Sequence, residues 1–108
     1  MRVQITERRC EVPADVRRRA ESQAEGLERF DSRATAAEVT FSEERHERSV
    51  ELIIHIDGAP VVVGRGEAED FRSALDRAVE RARRQLKEGR EQRRDHRATP
   101  LSDNAVAE

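Results

Sequence analysis

The sequence predicts a two-layer α+β domain in the order β-α-β-β-β-α, with two helices covering one face of a four-stranded, mostly antiparallel sheet. Three observations carry that expectation. Four short segments alternate apolar with polar residues, two longer segments repeat their apolar residues every three or four positions, and Asp57-Gly58 places a tight-turn signal between two of the alternating segments.

Val3 and Ile5 alternate with polar neighbours, so residues 2–8 are expected to form the first strand. Pro13, followed by Ala14 and Asp15, suits a helix start, because the proline lacks only an N–H that has no partner there and the carboxylate meets the positive end of the helix dipole. Val16, Ala20, Gln23/Ala24, Leu27 and Phe30 keep helical spacing to about Phe30, although Gly26 weakens the helix by up to about 1 kcal/mol. From Thr35 the period changes to two. Ala37, Val39 and Phe41 define a second strand that gives way to an acidic and polar turn at Ser42–Arg48. Val50, Leu52, Ile54 and Ile56 form the core face of a third strand, with Ile53 and His55 opposite. A two-residue turn at Asp57-Gly58 would lead into a fourth strand over Pro60–Arg65, closed by Gly64 and Gly66. That leaves Arg2, Gln4, Glu51 and His55 on a sheet face open to water.

The last helix is read over Asp70–Lys87. Phe71, Ala74, Leu75, Ala78, Val79, Ala82 and Leu86 line one face. Arg77, Arg81 and Arg84 run along one flank, and Arg83, Lys87 and Arg90 along the other. Gly89 is a plausible stop, although the charged stretch to Arg97 could continue the helix. The domain is therefore placed at residues 1–90, with a charged, disordered tail over 91–108.

Charged residues make up 41% of the 108, yet the net charge is only −2. The balance is regional: residues 41–70 carry three basic against eight acidic side chains, and residues 71–97 carry ten against five. Binding to an anionic partner depends on local potential, so the near-neutral sum does not exclude one. From charge alone, a solvated helix face is the simpler reading of the arginines. No apolar run approaches the roughly 20 residues of a membrane span, the N-terminus lacks a signal-peptide pattern, and the single Cys10 allows no intramolecular disulfide. A cytoplasmic protein with no membrane partner is expected.

The order of elements, Asp57-Gly58, Asp70-Phe71, Ser73-Ala74-Leu75-Asp76 and Arg84-Gln85-Leu86 together resemble the ribosome hibernation promoting factors, the family that includes the ribosome-associated inhibitor A and sigma-54 modulation proteins. Met-x-Val-x-Ile-Thr at the N-terminus, Arg17, and Leu27-Glu28-x-Phe30 add to the likeness, which covers about residues 1–90. The resemblance implies a fold like that of double-stranded RNA-binding domains and a short-form protein without the family's second, C-terminal domain. It also implies binding to the small ribosomal subunit in the channel shared by messenger and transfer RNA, blocking translation by occupancy. Arg17, Arg18, Arg29, Arg77, Arg81, Arg84 and Lys87 would then form a basic surface on both helices that contacts ribosomal RNA phosphates, which arginine can engage through paired hydrogen bonds. Three Phe and no Trp or Tyr give little scope for base stacking. The sequence departs from the family at Gln23 and Gly26, where lysines are usual, and at Glu88-Gly89, where a basic run usually continues. Glu21 and Glu25 add negative charge nearby.

Other chemistry finds less support. His46, His55 and His96 have no metal-ligand spacing, and Cys10 with His55 across neighbouring strands would make only two ligands. The same pair could be drawn as a nucleophile and its base, but Cys10 at a strand end reads better as a packing residue. Asp70 suits a helix cap better than an active-site carboxylate. Asp76 is either a surface charge or a salt-bridge partner. Gly64-x-Gly66 lacks the Lys-Ser/Thr of a phosphate loop. No enzyme, cofactor or metal is expected. The alternative reading is a protein-interaction module on the same fold, forming a weak homodimer through the open sheet face or the hairpin edge.

Overall fold

The computed structural model describes residues 1–98, with side chains described for residues 1–93. Strand β1 (Arg2–Arg8) leads through α1 (Ala14–Gly26) and a single 3-10 turn (Leu27–Phe30) to β2 (Ala34–Glu44), β3 (Glu47–Ile56), β4 (Val62–Ala68) and α2 (Phe71–Ala98). The strands lie side by side in chain order. β1 runs parallel to β2 because α1 carries the chain back along the sheet. β2, β3 and β4 then follow as antiparallel hairpins. This is the expected β-α-β-β-β-α arrangement, with one parallel pair in a mixed sheet.

The core forms where the period-two and helical patterns meet. Val39 and Phe41 of β2, Val50, Leu52 and Ile54 of β3, and Leu75 and Leu86 of α2 are its largest fully buried side chains. Phe41 meets Phe71 edge to face, with ring centroids 5.6 Å apart. Cys10 packs against the edge of this core, and its thiol lies 3.5 Å from the Phe41 carbonyl. Burial pushes that thiol up from its ordinary range.

The first helix ends at Gly26 and gives way to the 3-10 turn rather than running on to about Phe30, and four further boundaries differ from the sequence expectation. The β2–β3 hairpin runs on through the polar segment read as a turn, leaving only Arg45-His46 between the Glu44–Glu47 pair. Backbone pairing needs no apolar side chain there, and Arg48 bridges back to Glu43 at 3.3 Å. Arg45 adopts a left-handed φ of 59° to close the turn. Between β3 and β4, Asp57-Gly58 does turn the chain, with Ala59 N–H bonded to the Ile56 carbonyl at 3.2 Å. Only Gly58 has a positive φ, of 74°, so this is not the two-residue hairpin turn expected; the turns that close such hairpins need positive φ at the first central residue, here Asp57. Pro60, which has no N–H to give a ladder, delays pairing until Val62 faces Ile54.

β4 consequently starts later and ends later than expected. Gly64 and Gly66 lie inside it, buried under α2, rather than closing it. A Cβ on Gly64 would collide with the backbone of Ala78 and Ala82, and one on Gly66 with that of Ala74 and Ala78. The glycines let the helix backbone rest directly on the strand. Finally, α2 does not stop at Gly89 but continues to Ala98, so 91–98 are helical rather than a disordered tail. Expectations for residues from Thr99 onward lie outside the described residues.

Candidate nucleic-acid interface

The seven basic residues singled out in the sequence, six on the two helices and Arg29 on the 3-10 turn, stand in separate settings rather than on one sheet of charge. Arg17, half-exposed on α1, turns toward β1, where its guanidinium lies 3.6 Å from Glu7. Arg18 beside it is exposed and, among the described residues, has no ion-pair partner. Neighbouring Arg19 spans to α2 and pairs with Asp76 at 3.0 Å, tying the helices together. Asp76 is thus a salt-bridge partner between the helices.

Arg29 and Lys87 converge from different elements. The 3-10 turn after α1 presents Phe30, half-buried against the core. The Arg29 guanidinium lies 4.9 Å from its ring centroid, that of Arg83 5.9 Å and the Lys87 ammonium 6.0 Å. An aromatic face offsets part of the repulsion among three cations, each such contact contributing about 0.5–1 kcal/mol at an exposed site. Arg83 is also bound by Glu80, one turn earlier on the helix, at 2.6 Å. The pairing holds the Glu80 carboxyl below its ordinary range. Sequence spacing marks Phe30 only as a helix-face residue; its place as the platform for this cluster depends on the 3-10 turn, which periodicity does not reveal.

Arg77 and Arg81 face the other way. Arg77 donates from Nη1 to the Glu67 carbonyl, and Arg81 from Nη1 to the Arg65 carbonyl, both on the outer edge of β4. Gln85 completes the row, its Nε2 donating to the Val63 carbonyl at 2.7 Å and its Oε1 accepting from the Val63 N–H at 3.4 Å. Arg84, between these two flanks, is exposed and among the described residues has no ion-pair partner. Glu88 follows on its stripe, one turn further on.

A charged pair that sequence patterning did not single out, Asp31 and Arg93, joins the end of the 3-10 turn to α2. Asp31, the buried charged residue of the core at 5% exposure, accepts from the Arg33 N–H at 3.0 Å and from the Arg93 guanidinium. At the start of α2, Asp70 caps the helix as expected, its carboxylate accepting from the Ser73 N–H at 2.9 Å. That bond holds the Asp70 carboxyl below its ordinary range.

The drawn pairing of Cys10 with His55 does not occur. Cys10 lies beside Phe41, whereas His55 pairs with Ala36 in the ladder, about 17 Å away along β2. His55 instead contacts Glu38 at 2.6 Å on the open sheet face. Among the described residues no three His, Cys, Asp or Glu side chains are grouped to hold a metal ion, and no helix is long and apolar enough to cross a membrane.

Fold and site together define a two-layer α+β domain with two helices on one side of the sheet and a polar, water-facing sheet surface on the other. The family model for sigma 54 modulation protein / S30EA ribosomal protein matches residues 3–94, and the chain belongs to that family. It is 31% identical over 86 residues to the ribosome hibernation promoting factor of Azotobacter vinelandii, covering 80% of this chain and 79% of that protein. The crystal structure of the Thermus thermophilus Protein Y N-terminal domain superposes with a TM-score of 0.72 at 26% identity, over 82% of this chain and 98% of that one. A ribosomal subunit interface protein from Coxiella burnetii shares the fold, with a TM-score of 0.73 at 16% identity, over 83% of this chain and 98% of the other.

Proposed function

We propose that this protein is a ribosome-associated hibernation factor that binds the small subunit through ribosomal RNA phosphates, occupies the channel shared by messenger and transfer RNA, and so halts translation without a chemical step. Membership of the family over residues 3–94, with a relative named as a ribosome hibernation promoting factor, is the observation that carries this reading. The helix layer supports it physically. Arg29 and Lys87 around Phe30, with Arg84 on the adjoining face of α2, offer cations whose exposed side chains can reach a phosphate backbone. Such contacts position a protein by shape and charge rather than by base sequence.

The remaining members of the set contribute unequally. Arg18 extends the surface onto α1, and Arg17 shares its charge with Glu7. Arg77 and Arg81 already satisfy β4 carbonyls, so phosphate must compete with the strand for them. With Gln23, Gly26 and Glu88 in place of basic residues, the positive surface is smaller than the family leads one to expect.

Cosedimentation with purified small subunits tests the proposal. The protein should pellet with small subunits at low salt, be released as salt rises through counterion uptake, and compete with messenger RNA for the same subunits. Failure to pellet at low salt would overturn it. An interaction module on the same fold would instead dimerise and be indifferent to charge reversal at Arg81 and Arg84.

A further inference from the structure

We propose that Arg77, Arg81 and Gln85 act as a side-chain substitute for a fifth strand, closing the outer edge of β4 against antiparallel pairing with a second copy of this chain. β4 is the last strand of the sheet. In an antiparallel edge strand alternate residues turn both backbone groups outward, and these outward groups are a template for another strand. In β4 the outward residues are Val63, Arg65 and Glu67, and the carbonyl of each is met by one side chain of α2: Gln85, Arg81 and Arg77 respectively, Gln85 also accepting from the Val63 N–H.

The match follows from the two repeats. Four residues along a helix advance about 6.0 Å, and two along a strand about 6.6–6.8 Å, so a row at i, i+4 and i+8 keeps step with alternate strand residues over three rungs. Helix and strand run antiparallel, so position 77 meets 67 and position 85 meets 63. Gly64 and Gly66 make the reach possible. Their missing Cβ atoms let the α2 backbone sit on the strand, close enough for side chains on its flank to bend around to the edge.

Without the row, the edge is self-complementary. A two-fold axis through Arg65 would set Val63 of one copy opposite Glu67 of the other, pairing all the outward groups at once in an isologous interface. The strand Val62–Ala68 contains no proline and no bulge, so of the usual edge defences only the charges of Arg65 and Glu67 lie within it. Its test needs no ribosome, although Arg77 and Arg81 also belong to the basic set proposed to contact RNA.

Sedimentation velocity of the Arg77→Ala/Arg81→Ala/Gln85→Ala variant over a wide concentration range, with amide hydrogen exchange, tests it. The wild type should stay monomeric, whereas the folded variant should dimerise about tenfold more tightly or better, with slower exchange at Arg65 and Glu67 in the dimer. A folded variant that stays monomeric, a wild type already paired through β4, or a variant dimer whose β4 amides exchange as in the monomer would each overturn it. Should the triple variant fail to fold, Arg81→Ala and Gln85→Ala singly serve the same test. If both fold and remain monomeric at the highest concentration, the proposal fails.

Discussion

At Gly64 and Gly66 two missing side chains set the height of a whole helix. Either glycine replaced by alanine forces a Cβ into the backbone of α2, where no flexible side chain can yield. Gly64→Ala should cost about 1–3 kcal/mol in urea unfolding, as overpacking of a dense core does. It should also speed amide exchange at Val63, because the Gln85 side chain is pushed outward with the helix. Asp70 adds a pH-dependent contribution. Its carboxyl is held below the ordinary value by the Ser73 N–H, so the cap is fully present above the unfolded pKa and is lost as pH falls through the lower folded one. The difference in thermal midpoint between wild type and Asp70→Ala should therefore shrink as the pH is lowered through and below the ordinary aspartate range, while Asp70→Asn, which keeps an uncharged acceptor, should show no such trend of its own. The cap was legible in the sequence as an aspartate before Phe71. The partners of Arg77 and Arg81 were not: which strand carbonyls they meet depends on the register of β4, whose bounds are shifted by the missing N–H of Pro60.

At the scale of elements, α2 persists where a glycine suggested a stop. Gly89 costs about 1 kcal/mol relative to alanine inside a helix. One turn later, Arg93 reaches the buried Asp31 that follows the 3-10 turn and anchors the helix beyond the glycine. Arg93→Ala leaves a buried carboxylate without its cation and should cost about 1–3 kcal/mol. Amide exchange in α2 after Gly89 should accelerate more than in its first turns. The pair is 62 residues apart in sequence, with no periodicity to betray it. By contrast, the apolar faces of the four strands and of α2 were readable, because alternation and three-to-four spacing express burial directly. The end of the β2–β3 hairpin was not, since Glu43 to Arg48 pair through backbone and charge rather than through an apolar face.

Across the whole molecule, charge is separated along α2. The acidic residues Glu44, Glu47, Glu67, Glu69 and Asp70 gather around the helix start and the β2–β3 turn, moderated by Arg45, His46 and Arg77. Lys87 and Arg84 stand roughly 20 Å further along the helix, beside the Phe30 cluster. Under the proposed function, the C-terminal part of α2 should meet the polyanionic partner and its start should repel it. The most direct measurement is the salt dependence of small-subunit binding, compared between wild type and Arg84→Glu/Lys87→Glu. The wild type should bind with an affinity that falls steeply and linearly on a log–log salt plot. The variant should bind more weakly at every salt concentration, with a slope smaller by about 2, roughly one for each phosphate that a cation no longer neutralises. Equal affinities and slopes for the two proteins would contradict the claim that this helix surface holds ribosomal RNA.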